Sequence, residues 1–167
     1  PALIKNFSEN CKRYKGKSRL DYFIYEFQTW LESFQKIGPK AFPILIKALS
    51  SKDKLVKFCA IVVLGRIGKK AQKSIPFLVK ALSDQDIRNI VRWNEGVHVV
   101  LGNMGPQIVP TLITFLSGKD KDLRDIAIDA LKILGENAKE AIPSLIKLFS
   151  SKEKYIKREA VEAIECI

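Results

Sequence analysis

The sequence has few of the residues that metal sites, disulfides and redox chemistry use. It has a single histidine, His98, and three cysteines, Cys11, Cys59 and Cys166. One histidine and an odd number of thiols with no metal-like spacing make a structural zinc site or a disulfide framework unexpected. No apolar run is long enough to span a bilayer, and no signal-peptide pattern is present. We therefore expect a cytoplasmic protein without a membrane span, a metal or another cofactor.

Acidic residues are scarce in one part of the chain only. Residues 1–70 hold fifteen Lys and Arg against five Asp and Glu, a net charge of +10. Residues 71–167 hold fourteen against thirteen, a net charge of +1. The basic N-terminal part is typical of a surface that binds nucleic acid, acidic protein or an anionic membrane.

A repeated stretch dominates the remaining sequence. PILIKALSSKDK, from Pro43, is nearly the same as PSLIKLFSSKEK, from Pro143, and two further copies begin at Pro76 and Pro110. The four prolines lie 33, 34 and 33 residues apart. A fixed period of this size indicates stacked repeats that cover one another's apolar faces.

Each repeat reads as two helices joined by a short turn. The proline opens the first helix, where its missing N–H needs no partner. Ser51 or Asp53 is a plausible N-cap of the second helix. Small residues recur at Ala60, Ala127 and Ala160, where close helix packing is expected, and the second helices stop at Gly68, Gly105 and Gly135.

The period predicts one solenoid with boundaries at 38–70, 71–105, 106–137 and 138–167. Residues 1–37 would form a degenerate first repeat or cap, with an aromatic-rich helix at 20–37. In the second repeat, four extra residues between proline and glycine predict one additional helical turn within 87–96. Ile167 aligns with Ile67, and no counterpart of Gly68 follows, so we expect a fragment of a longer protein.

These features resemble HEAT-like repeats, especially the short bacterial type that is also found in phycobilisome lyases. The resemblance depends on the opening prolines, on acid–base pairs such as Asp53/Lys57, and on closing motifs such as Leu101-Gly102-Asn103-Met104-Gly105. It implies an all-α fold, a right-handed α-α superhelix of about five helical pairs. Similar solenoids include scaffolds, chaperone-like lyase subunits, metal-dependent hydroxylases and DNA-repair glycosylases. The resemblance therefore predicts architecture more specifically than function.

Two groups of residues are candidate contacts for a partner. The acid–base pairs recur in every repeat, and we interpret them first as helix caps and an inter-repeat ladder. Their basic members can also line the concave side of a solenoid. Trp93 beside two arginines can stack on a base or hold an acidic peptide, or it can simply pack in the lengthened helix. The candidate binding residues are Lys57, Arg88, Arg92, Trp93, Arg124 and Lys157.

The inventory of residues disfavours an enzyme. One histidine cannot supply a di-iron site, and no nucleophile elbow, Walker loop or dinucleotide motif is present. We therefore expect no catalytic residues, and a scaffold that binds a protein, preferably an acidic one, through its concave face. Nucleic-acid binding by the basic N-terminal half is the first alternative, and a bilin lyase or chaperone-like subunit is the second. The sequence does not predict the oligomeric state.

Overall fold

The computed structural model describes residues 36–84, 87 and 97–167, together with positions 9, 32 and 34. The chain forms two compact units, Pro1–Gly96 and Val97–Ile167. Most of the degenerate repeat predicted for residues 1–37 lies outside the described residues, as does most of the stretch 87–96 that was predicted to hold an additional turn. The repeat boundaries derived from the period stay a prediction.

The described residues of the first unit form two first helices and one second helix of the repeats. Helix α1 spans Phe42–Leu49, α2 spans Lys54–Ile67 and α3 spans Ile75–Leu82. Short 3-10 helices at Gly38–Ala41 and Gly68–Ser74 precede α1 and α3. Helix α1 packs against both α2 and α3, so the first helices of successive repeats are neighbours.

The second unit has the same organisation in two layers. Its helices are α4 (Val97–Asn103), α5 (Val109–Ser117), α6 (Lys121–Leu134), α7 (Ile142–Lys147) and α8 (Lys154–Cys166). Further 3-10 helices lie at Pro106–Ile108, Gly135–Ala141 and Leu148–Ser150. The second helices α4, α6 and α8 form one layer, because α6 packs against both of the others. The first helices α5 and α7 form the other layer.

The helix starts follow the local chemistry of the repeat. A proline lies in the first turn of each first helix, as predicted. Asp120 caps α6, since its carboxylate accepts a hydrogen bond from the Leu123 backbone N–H at 3.1 Å. Asp53 accepts the equivalent bond from the Val56 N–H at 3.4 Å. Of the two caps predicted for α2, Asp53 is therefore the one at the helix terminus, while the Ser51 hydroxyl accepts from the Asp53 N–H within the turn.

The helix ends are also where the sequence placed them. Gly68, Gly105 and Gly135 have φ of 64°, 79° and 53°, and Gly38 has 61°. A Cβ atom is strained in this region, so glycine ends these helices at the lowest conformational cost. All positive φ values among the described residues belong to glycine.

The core of each unit comes from the apolar stripes of its helices. Ala60, Ala127 and Ala160 are fully buried, as their recurrence predicted. Phe58, Cys59 and Val62 of α2 are buried as well. The described residues contain helices and no strand. The predicted fold class, an all-α repeat of helical pairs, is confirmed.

No single helix among the described residues is long and apolar enough to cross a membrane. The pair Val97–Asn103 and Pro106–Ser117 passes the same length and composition test only when taken together, and it is bent by 115°.

Candidate functional site

The first predicted contact residue, Lys57, is part of an ion pair between successive repeats. Its Nζ lies 3.1 Å from Oδ2 of Asp84, which is 27 residues further along the chain. Both side chains are half-buried. Lys57 therefore joins the acid–base position of one repeat to that of the next, and a partner could use its charge only in competition with Asp84.

The equivalent residues in the last two repeats have different environments. The Arg124 guanidinium is half-buried and donates a 2.8 Å hydrogen bond to the Gly118 carbonyl at the end of α5. Its charge also helps to lower the pKa of Glu153, after the larger effects of the hydrogen bond and the charge of Lys121. Lys157 is exposed on α8. Of these three basic residues, only Lys157 has a side chain that is open to solvent.

The other predicted contacts, Arg88, Arg92 and Trp93, lie outside the described residues. His98, which follows them in the sequence, is half-buried on α4. The structure thus does not test whether these residues form one cluster, and their role stays a prediction.

A second inter-repeat ion pair was missed by the sequence analysis. Lys132 of α6 lies 2.7 Å from Glu159 and 2.9 Å from Glu162, both on α8. Arg158 also donates to Glu159, at 3.1 Å. The hydrogen bond from Lys132 holds the pKa of Glu159 below its ordinary value, against the opposing effect of burial. Burial alone would lower the pKa of Lys132, but its bonds to Glu159 and Glu162 raise it.

The spacing holds a signal that could have revealed this pair. Lys132 precedes Glu159 by 27 residues, the same separation as Lys57 and Asp84. Position 132 is not conserved among the repeats, however, since it aligns with Gly65 and Glu165. A search for repeated residue types therefore passes over it.

Two large apolar side chains lie exposed around this network. Tyr155 of α8 is exposed, with the Arg158 guanidinium 5.6 Å from its ring centroid. Burial of part of the ring, then the negative charges of Asp125 and Glu159, raise the pKa of its hydroxyl. Ile133 of α6 is exposed too, and it lies over Gly102 of α4. We call this surface the α6–α8 face, which comprises Asp129, Lys132, Ile133, Tyr155, Arg158, Glu159 and Glu162.

Gly102 explains how Ile133 reaches its position. A Cβ atom built on Gly102 would lie 2.6 Å from Cγ2 of Ile133, much closer than atoms of two side chains approach. The glycine therefore allows α4 and α6 to pack closely. The predicted closing motif has two glycines with different roles, because Gly105 ends the helix and Gly102 accommodates the next repeat.

The α6–α8 face has the chemistry of a contact surface. Its charged groups are paired with one another, and its apolar groups are exposed among them. Within the described part of the chain, no group of three or more His, Cys, Asp or Glu side chains is arranged to hold a metal ion. The arrangement offers hydrogen bonds, ion pairs and apolar area to a second molecule.

Comparison with known proteins identifies the repeats. A model of HEAT repeats matches residues 29–94 and again residues 99–165. No curated protein matches the chain significantly. Among solved structures, a designed armadillo repeat protein in complex with the peptide (KR)4 is similar, with a TM-score of 0.48 and 19% identity. That alignment covers 81% of this chain and 68% of the designed protein. Since the two HEAT matches span most of the sequence, this chain belongs to the HEAT repeat family.

Proposed function

We propose that the chain is a non-catalytic scaffold that binds a protein through its second helices. HEAT and armadillo-like repeats commonly mediate protein interactions, and the α6–α8 face includes exposed tyrosine, arginine and isoleucine side chains. The observation that carries the proposal is the exposure of Ile133 and Tyr155 on neighbouring second helices. Tyrosine and large apolar side chains supply much of the binding energy at protein interfaces.

The ion pairs around these two residues favour binding in a second way. Lys132 holds Glu159 and Glu162, and Arg158 lies near the Tyr155 ring. Side chains that are already held in one arrangement lose less conformational entropy when a partner covers them. The face is therefore partly preorganised for contact.

The acidic partner that the sequence favoured is a separate, finer hypothesis. Lys57 forms an ion pair with Asp84, and Arg124 donates a hydrogen bond to the Gly118 carbonyl. An acidic partner would have to compete with these contacts for both side chains. Among the described basic members of the acid–base pairs, Lys157 is the one whose side chain is open to such a partner. Nucleic-acid binding and a lyase or chaperone-like role stay predictions from the sequence alone.

The test is capture of partners from a lysate of the source organism by three forms of the chain. We expect the wild-type chain to retain specific proteins and the double variant Ile133→Ser, Tyr155→Ala to lose them. Phe77→Ser is the matched control, because Phe77 is exposed to a similar degree but lies on α3, a first helix. Equal capture by the double variant and the wild type, with circular dichroism unchanged, would exclude the α6–α8 face as the binding surface.

A further inference from the structure

The last helical pair exposes apolar side chains that earlier repeats bury. Phe149 is 40% exposed, whereas Leu116 at the equivalent position is 2% exposed. Val161 is 43% exposed, whereas the equivalent Ile128 is 1% exposed. Ile146, which is 50% exposed, lies on the same pair of helices. We call Ile146, Phe149 and Val161 the end face. Its residue types match those that are buried between repeats at Leu116 and Ile128.

The charges beside the end face indicate what would cover it. Within the chain, Lys57 meets Asp84, the acidic member of the next acid–base pair, and Lys132 meets Glu159, six residues beyond Glu153, the acidic member of the last pair. Lys157 occupies the position of Lys57 in the last repeat, and Glu165 occupies that of Lys132. Both are exposed, and neither has an ion-pair partner among the described residues. The charge at the second position is therefore reversed.

We propose that the end face docks a further amphipathic helical pair whose second helix carries a particular pair of charges. An Asp or Glu at the N-terminus of that helix meets Lys157, and a Lys or Arg six residues later meets Glu165. The apolar face of the incoming pair covers Phe149 and Val161. This inference uses a different surface from the α6–α8 face and does not depend on the proposed function.

The experiment adds a covering pair to the intact chain. The probe is a second copy of residues 135–167 joined after Ile167, with Glu159→Lys in the copy so that a base meets Glu165. The probe is joined to the chain, so its docking is intramolecular. A short linker gives an effective concentration in roughly the millimolar range. Its folding is followed by amide hydrogen exchange, and the stability of the extended and unextended chains by urea unfolding.

We expect the added copy to be protected from exchange. Val161→Ala should lower the folding equilibrium constant of the extended chain about tenfold more than that of the unextended chain, because two further methyl-sized groups leave a buried site. Phe77→Ala, on α3, should have the same effect in both chains. A probe that keeps Glu at position 159 of the copy should be less protected from amide exchange, because this carboxylate would lie beside that of Glu165.

Three results would overturn the inference. The first is an added copy that exchanges freely, and the second is an equal effect of Val161→Ala in both chains. The third is an unextended chain that sediments as a dimer and becomes monomeric with Val161→Ala, because a second copy would then be the occupant. Capture experiments with the Ile133 and Tyr155 variants report on the other surface, so failure of either proposal can be recognised separately.

Discussion

Replacing Lys132 by Met removes a partly buried group of ion pairs between α6 and α8, the second helices of the last two repeats. The Lys132 ammonium lies 2.7 Å from Glu159 and 2.9 Å from Glu162. The Glu159 side chain is only 13% exposed, so after the substitution its carboxylate stays largely desolvated without its closest cation. Such losses cost about 1–3 kcal/mol of unfolding free energy. Arg158 still reaches Glu159, so we expect a value in the lower half of that range.

The dependence of this cost on pH follows from the two pKa shifts. The pKa of Glu159 is lowered in the folded chain, so its contribution is present above the unfolded pKa, about 4.3, and is lost as pH falls through the folded value. The pKa of Lys132 is raised, so its contribution is complete below the unfolded pKa of about 10.4 and is lost only at still higher pH. The difference between wild type and variant should therefore be constant from about pH 5.5 to 9.5 and shrink in acid.

The assay is urea unfolding followed by far-UV circular dichroism at pH 3, 5, 7 and 9. Lys121→Met is the matched control, because Lys121 pairs with Glu153 at 2.6 Å but both side chains are largely exposed. Solvated pairs contribute little, and a cation in the first turn of α6 also opposes the helix dipole. The explanation is refuted if both variants lose the same stability, or if the loss in Lys132→Met persists unchanged at pH 3.

Three further substitutions test how the repeats are built. Gly105→Ala should lower the free energy of unfolding by about 1–3 kcal/mol, because φ is 79° at this position. Gly118→Ala is the control, since φ is −73° there and alanine adopts this value without strain. The two variants are compared by their midpoints of urea unfolding. Asp120→Ala should cost about 1 kcal/mol in the same assay and speed amide exchange of the first turn of α6. Gly102→Ala should cost about 1–3 kcal/mol through its clash with Cγ2 and Cβ of Ile133, and a double-mutant cycle with Ile133→Gly, which removes both atoms, should show a favourable coupling.

The parts of the fold that could be predicted are those that depend on local backbone chemistry. Proline restricts φ to values that suit an opening turn, and glycine accepts the positive φ that ends a helix. Pro43 and Gly68 therefore marked the limits of the first complete pair from residue type alone. Ala60 was recognised as a close-packing position because the same small residue recurs two and three repeats later, at Ala127 and Ala160.

The 3-10 connections could not be predicted from the period. In Gly68–Ser74 the side chains of Ala71 and Ser74 are buried, and the Ser74 hydroxyl donates to the Ala71 carbonyl at 2.6 Å. The residue types of this stretch, with two lysines after a glycine, are equally typical of a solvent-exposed loop. Its structure depends on packing against α1 and α2, which is a tertiary effect that spacing does not encode.

The candidate site was predicted only in part for a related reason. Sequence comparison of the repeats directs attention to residues that recur, such as Lys57 and Arg124, and these are engaged in contacts within the chain. Lys132 and Tyr155 do not recur, yet they define the α6–α8 face. In addition, a residue at one position of a repeat contacts a residue at a different position of the next repeat. An alignment of the repeats places these two residues in different columns, so it does not show that they are partners.

The division between recurring and non-recurring residues has a physical reason in a stacked fold. Every helical pair must begin, end and bury an apolar stripe in the same way, so the residues responsible for those tasks are similar in each copy. Any two neighbours must also be distinguished from other possible neighbours, and identical interfaces cannot do that. Lys132 and its counterpart Glu165 have opposite charges, so a helical pair that complements one would be repelled by the other. Order within the stack therefore depends on the positions at which the repeats differ, and the docking proposed for the end face would depend on Lys157 and Glu165 for the same reason.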